Sequence, residues 1–274
     1  MKKLIVSLLA VAGLAACATD DVVRELDNRT AIAFDTFIEN ATRADNVSTT
    51  TGNITEFSVW AYMNAEDGIV FNDELVSRNG DAWSYTNLQY WLAGNSYSFA
   101  AFAGNRSAVD GLPEGVAMGA NGLGTITFTN ENGTNDILYA QNYVESAAAE
   151  QAPVSFQFDH LLSKVRFTFA NGFANDNNFI VVKNIKMTSA EVAELNLNTD
   201  SFVPVTDAEY VWENHVGTKT LEFGHMAAGE KVARGKNAIS DEDRLVIPAD
   251  ATYEYTVTFD VEVYNGTQCG LQKS

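Results

Sequence analysis

The chain has 274 residues, of which 36 are acidic and 17 are basic, and its formal net charge at pH 7 is −19. This charge argues against nucleic acid and anionic lipid surfaces as partners. Its two cysteines are Cys17 and Cys269. Because Cys17 is assigned below to lipid attachment, no disulfide framework is expected, and packing must hold the fold together.

The first residues have the composition of an export signal. A short basic start precedes an apolar run over residues 4–14, which is too short for a membrane-spanning helix but matches the core of a signal peptide. The run ends in Leu-Ala-Ala before Cys17, the pattern that lipoprotein signal peptidase accepts. We predict a lipoprotein signal peptide over residues 1–16, lipidation of Cys17 and a lipidated tether over residues 17–30. The alternative is an ordinary secretory signal with a chance cysteine.

The mature chain is dominated by alternation of apolar and polar residues, which predicts β-strands. The first such run places Ile32, Phe34, Thr36 and Ile38 on one face. Later runs cover residues 57–61, 97–102, 125–129, 154–158, 165–169 and 253–263. Turn-forming Asn and Gly residues separate these runs, so we predict an all-β fold of the sandwich or barrel type.

A break in the strand pattern near residue 150 suggests a domain boundary. The sequence at residues 151–153 is typical of a hinge, and a new series of predicted strands begins at Val154. We therefore predict an N-terminal β-sandwich domain over residues 31–150 and a C-terminal β-sandwich domain over residues 151–274.

No group of residues indicates catalysis or metal binding. His160, His215 and His225 lack the spacing of metal ligands, and we interpret His160 as a structural residue at a strand end. The acidic run at residues 241–243 is predicted to be a solvated loop and not a calcium site. We therefore predict no enzymatic activity, no metal and no cofactor.

Four aromatic residues lie close together in the first half of the chain. They are Trp83, Tyr85, Tyr90 and Trp91. Such a cluster can stack on a sugar, but alternating aromatic residues in a β-rich segment more often fill a core, and we favour the core.

Several motifs follow the lipidation signal in a characteristic order. They are AIAF (31–34), ATRA (41–44), FSVWAY (57–62), DAWSY (81–85), YSFAAFA (97–103), DILYA (136–140) and FQFDHLLSKV (156–165). Their succession resembles the fimbrillin family of Bacteroidetes, over about residues 31–265. The resemblance implies two tandem transthyretin-like β-sandwich domains. It also implies a subunit of a surface fimbria (pilus), held on the outer membrane by its lipid, that supports cell adhesion with other fimbrial subunits as partners.

The resemblance further implies a mode of assembly. In fimbrillins, a trypsin-like, Arg-specific protease cuts after the first strand, and a strand from a neighbouring subunit replaces it. Here the cut would fall at Arg43, and the displaced strand would carry Ile32, Phe34, Thr36 and Ile38. The alternative for Arg43 is an ordinary loop arginine.

Two further expectations follow from the sequence. The tail after Asn265-Gly266 shows no alternation, so we expect the second strand of that hairpin to be absent and the C-terminal domain to lack a strand.

The alternative function is a surface lipoprotein that does not polymerise and binds a glycan or a host protein. Such a protein would keep its first strand permanently.

Overall fold

The computed structural model describes residues 29–38, 54–64, 68–112, 118, 122–149, 151–198, 210–250 and 253–273. Within these residues, regular structure consists of strands and two short 3-10 turns, Arg106–Ala108 and Ala227–Gly229. The all-β prediction is confirmed. The strands are β1 (Phe34–Ile38), β2 (Glu56–Met63), β3 (Ile69–Asn79), β4 (Ala82–Ser84), β5 (Tyr97–Gly104), β6 (Val109–Asp110), β7 (Gly122–Thr129), β8 (Ile137–Val144), β9 (Val154–His160), β10 (Ser163–Val165), β11 (Thr168–Ala170), β12 (Asn178–Ser189), β13 (Val192–Asn198), β14 (Trp212–Val216), β15 (Lys219–Gly224), β16 (Asn237–Ile239), β17 (Arg244–Val246), β18 (Thr256–Asn265) and β19 (Gln268–Lys273).

The largest sheet has seven strands in the order β1-β9-β8-β5-β2-β3-β4. Successive side chains of each strand point to opposite faces of the sheet. On β2, Phe57 and Val59 join one core cluster, whereas Trp60 joins another. Both faces of this sheet are therefore covered.

One face of the seven-stranded sheet packs against a four-stranded sheet with the order β14-β13-β7-β6. Trp60 and Phe102 from the large sheet share a cluster with Phe128 and Trp212 from the smaller one. Phe128 and Trp212 lie with their ring centroids 6.0 Å apart. This arrangement is a β-sandwich core.

A third core cluster belongs to the later part of the chain. A four-stranded sheet, β15-β12-β18-β19, and two two-stranded pairs, β10-β17 and β11-β16, surround it. Ile185 of β12 and Phe223 of β15 are fully buried there. Phe167 packs edge-on against Phe223, with ring centroids 4.7 Å apart.

Strand pairing crosses the predicted domain boundary near residue 150. Strand β9 pairs with β8 in the seven-stranded sheet, and β13 pairs with β7 across the smaller sheet. A division at residue 150 would separate these hydrogen-bonded strands. The tandem arrangement of two transthyretin-like domains and its boundaries stay predictions.

The expectation that the last hairpin lacks its second strand is wrong. Gly266, with φ 62°, forms the turn, and β19 pairs antiparallel with β18. The register places Val263 opposite Leu271 and Tyr264 opposite Cys269, with an irregularity between them. An edge strand is held by backbone hydrogen bonds, which do not require the alternation that the sequence analysis relied on.

Candidate functional site

The residues assigned to the first strand are buried where the structure describes their side chains. Ile32, Phe34 and Thr36 are 1%, 6% and 8% exposed. The intervening Ala33 and Asp35 are exposed. The predicted alternation of buried and exposed side chains is therefore confirmed for residues 32–36. We call residues 29–38 the first-strand segment.

Ile38, Cys17 and Arg43 complete the set of predicted site residues. For Ile38 the structure describes the backbone, which lies opposite Phe158 of β9. Cys17 and Arg43 lie outside the described residues. Their assigned roles in lipidation and cleavage stay predictions.

One side of the first-strand segment is bonded to β9. The pairing is parallel, with Phe34 opposite Val154 and Thr36 opposite Phe156. At the start of this ladder, the Val154 N–H donates to the Ala33 carbonyl over 2.7 Å. The strand thus continues the seven-stranded sheet beyond β9.

The other side of the segment is bonded to the chain that follows β4. The Ile32 N–H donates to the Gln89 carbonyl over 2.8 Å, and the Trp91 N–H donates to the Thr30 carbonyl over 3.1 Å. An antiparallel bridge joins Ala31 to Tyr90 between these two bonds. The segment therefore lies in a slot with backbone partners on both sides.

A tyrosine side chain adds a further bond to this backbone. The Tyr85 hydroxyl donates to the Ile32 carbonyl over 2.6 Å. Burial raises the pKa of this hydroxyl, so it keeps the proton that it donates. The sequence analysis placed Tyr85 in an aromatic cluster but gave no signal of this backbone contact.

Phe34 fills a pocket of aromatic rings. The Phe156 ring stacks on it at 15° between ring planes, with centroids 5.7 Å apart. The Phe57 and Tyr85 rings present edges to it at 5.8 Å and 5.6 Å. Phe71 and Phe99 complete the pocket at 5.5 Å and 6.5 Å. Offset-stacked and edge-on geometries are those that aromatic pairs prefer.

The strand that supports this slot carries an electrostatic contact at its far end. His160, the last residue of β9, lies opposite Leu138 of β8. Its Nδ1 is 3.0 Å from Oδ2 of the buried Asp136 carboxylate. Burial opposes protonation of His160, but the hydrogen bond and charge of Asp136 outweigh it and raise the pKa of the imidazole. His160 thus lies at a strand end, as the sequence analysis placed it.

The family model described as fimbrillin-like matches residues 42–269 of the chain. The chain belongs to the fimbrillin-like family. The match includes Arg43 and begins after the first-strand segment. No curated protein sequence matches significantly.

Solved structures align with this fimbrillin-like chain over most of its length. A fimbrial protein from Bacteroides vulgatus aligns with a TM-score of 0.59 at 16% identity, over 89% of this chain and 87% of that chain. A putative adhesin from Bacteroides thetaiotaomicron aligns with a TM-score of 0.42 at 11% identity, over 88% and 77% of the two chains. The fimbrial anchor protein Mfa2 from Porphyromonas gingivalis gives a TM-score of 0.38 at 11% identity, over 89% and 82%. The first alignment shows the fold alone.

Membership of this family indicates a fimbrial or adhesin-like protein of the cell surface that associates with other fimbrial subunits. The family is one of fimbrial structural proteins. In the part of the chain that the structure describes, no helix has the length and apolar character needed to cross a membrane. No group of three or more potential metal ligands occurs among the described side chains.

The aromatic cluster of this fimbrillin-like chain is mostly core. Trp91 is 2% exposed, and Trp83 and Tyr85 pack against the same cluster as Phe34. Tyr90 differs, since it is 43% exposed. The preference for a core is confirmed for three of the four residues.

The acidic run at residues 241–243 is not simply a solvated loop. Asp243 is 5% exposed and accepts hydrogen bonds from Arg166, while Lys164 lies 3.4 Å from its carboxylate. Burial disfavours the charged form of Asp243, but these cations outweigh it and lower the pKa of the carboxyl. The prediction of a solvated loop is therefore wrong for this residue.

Proposed function

We propose that this chain is a structural subunit of a surface fimbria, or a lipoprotein associated with one, that supports adhesion and assembles by protease-triggered strand exchange. In this proposal Cys17 carries the lipid that anchors the precursor in the outer membrane. A cut at Arg43 releases the first-strand segment, and a strand from another subunit takes its place.

The observation that carries the proposal is the way the first-strand segment is held. Backbone hydrogen bonds hold residues 30–32 on one side and residues 33–38 on the other, and Phe34 fills a ring-lined pocket. Toward the rest of the body, its single covalent link runs through residues 39–53, which contain Arg43. One cut in this link leaves only noncovalent contacts between the segment and the body.

The same cut changes the anchoring of the molecule. Cys17 precedes the first-strand segment, so a cut after Arg43 places the lipid and the segment on one fragment. The body then keeps its place only while the segment stays bound. Strand release would therefore free the body from the membrane and open its slot in one step.

An empty slot would be unfavourable in water. It would expose the apolar rings around Phe34 and leave backbone groups such as the Val154 N–H and the Gln89 carbonyl without protein partners. An incoming strand satisfies both requirements, as in other cases of β-strand addition. Donation from one subunit to the next does not close on itself, so it produces a fibre.

The test is limited digestion of the ectodomain lacking the lipid. A trypsin-like protease is added, and the products are followed by intact mass and native gel electrophoresis. We expect a cut after Arg43 while β-strands elsewhere resist, followed by a ladder of oligomers. An Arg43→Gln variant is the matched control and should remain uncut at this position and monomeric.

The alternative function gives a different result in the same experiment. A non-polymerising surface protein that binds a glycan or a host protein keeps its first strand. Resistance at Arg43 under conditions that cut an unstructured arginine, or a cut chain that never accepts a strand, would contradict assembly by strand exchange and favour this alternative.

A further inference from the structure

The contacts of the first-strand segment fall into two kinds. Backbone contacts involve the carbonyl groups of Thr30, Ile32 and Ala33 and the N–H of Ile32. Every residue except proline offers these groups. Contacts of this kind hold an extended chain in register but do not distinguish one sequence from another.

Side-chain contacts are unequal along the segment. Ile32 lies in the same apolar cluster as Phe34, and Thr36 is buried beside them without belonging to that cluster. Phe34 is the aromatic residue of the segment whose ring contacts the structure describes, and five rings lie within 6.5 Å of it. The pocket around Phe34 is therefore a feature of the slot that matches a particular side-chain shape, a flat ring.

The five rings around Phe34 match a flat side chain. Phe156 lies nearly parallel to it, and Phe57 stands at 89° to it. A planar ring satisfies a stacked and an edge-on neighbour together, whereas a branched aliphatic chain satisfies neither orientation. A small side chain would leave a cavity lined by aromatic carbon atoms.

We propose that this slot selects its incoming strand by one position, an aromatic residue at the place of Phe34, while the backbone contacts accept any extended sequence without proline at a donating position. The partner is therefore a subunit whose donated strand carries a phenylalanine or a similar ring at this position. This inference rests on the proposed strand exchange.

The experiment measures exchange of synthetic strands. The ectodomain is cut after Arg43, and its bound fragment is displaced by an excess of fluorescent peptide with the sequence of residues 29–43. Affinity and residence time follow from fluorescence anisotropy and native mass spectrometry. Only the peptide is varied, so folding of the protein is the same in every comparison.

Three peptide variants decide the question. Phe34→Ala should weaken binding by about a hundredfold or more, because it removes a buried ring from a closely packed pocket. Phe34→Leu should fall between this peptide and the native one. Asp35→Ala, the control, changes an exposed side chain of β1 and should bind within about threefold of the native peptide.

Two outcomes overturn the inference, and they are distinguishable. If the native and Phe34→Ala peptides exchange equally well, the slot accepts strands without selecting an aromatic residue, and the proposed function stands. If no peptide exchanges, even in mild urea that loosens the cut complex, the strand is not replaceable. Both the proposed function and the inference then fail.

Discussion

The Tyr85 side chain helps to hold the first-strand segment in its slot. Its bond to the Ile32 carbonyl is short, and its ring contacts Phe34 and Phe71 with centroids 5.6 Å and 5.2 Å away. The hydroxyl and the ring therefore act on the segment in different ways. A substitution that separates them shows how much the polar contact contributes.

Tyr85→Phe removes the hydroxyl and keeps the ring. We expect the free energy of unfolding to fall by about 1 kcal/mol, the usual contribution of one hydrogen bond. Tyr85→Ala also removes the ring and should cost about 3 kcal/mol or more. Urea denaturation measures both. A Tyr85→Phe variant as unstable as Tyr85→Ala would contradict this division.

At this scale the sequence predicts burial better than it predicts partners. Alternation is a local property, so it was sufficient to place Ile32, Phe34 and Thr36 on the buried face. The burial of Asp243 could not be predicted locally, because its partners Arg166 and Lys164 lie far from it in the chain. No spacing rule signals that a particular carboxylate of an acidic chain will be buried with them.

At the scale of elements, strand β9 is the support of the slot. It pairs with β8 through His160 and with β1 through Val154, Phe156 and Phe158. A change that strengthens the end of β9 should therefore also stabilise the bound first strand. The contact between His160 and Asp136 is placed to have this effect.

The His160 contact predicts a dependence on pH. Because the folded-state pKa of His160 is raised above its unfolded value of about 6.5, its stabilising contribution is complete below that value and is lost as the pH rises through the folded-state pKa. The imidazole is partly exposed, so we expect the contribution to be about 1 kcal/mol or less.

The measurement compares the wild type with His160→Gln, which keeps a donor for Asp136 but does not titrate. Unfolding free energies are determined at pH 5.5 and pH 8.5. The wild type should exceed the variant by more at pH 5.5 than at pH 8.5. Equal differences at the two pH values would show that the contact does not respond to protonation.

The existence of strands was predictable, but their partners were not. Strand β1 pairs with β9, which begins more than a hundred residues later, and the pairing is parallel. Alternation reports which face of a strand is buried and carries no information about its neighbour. The same reasoning explains β19, whose pairing depends on the turn at Gly266 and on backbone bonds.

At the scale of the whole molecule, long-range pairing decides the architecture. Strand β13 joins the sheet of β7, and β9 joins that of β8, so material from both sides of residue 150 builds the same sandwich. A local break in pattern at residues 151–153 could not show this. The charge of −19 predicts no fold, although it excludes classes of partner.

Membrane anchoring is a property of the whole molecule. The two cysteines have different roles in the proposed anchor. In the proposed precursor, Cys17 carries acyl chains, each buried CH₂ of which contributes about 0.8 kcal/mol to membrane binding. Cys269 lies opposite Tyr264 in β19, at the edge of the last sheet, and the proposal gives it no part in anchoring. Replacing each cysteine separately therefore tests the anchor with a control of the same chemistry.

Cys17→Ser should abolish incorporation of an alkyne-labelled fatty acid, prevent the cut before residue 17 and leave a precursor of higher mass. Cys269→Ser should keep the label and remain in the membrane fraction after a high-salt wash, because acyl chains do not depend on ionic contacts. Mass spectrometry and in-gel fluorescence of fractionated cells measure both. If Cys17→Ser retained the label, the acyl chains would have to be attached elsewhere, and the assignment of Cys17 as the anchor would fail.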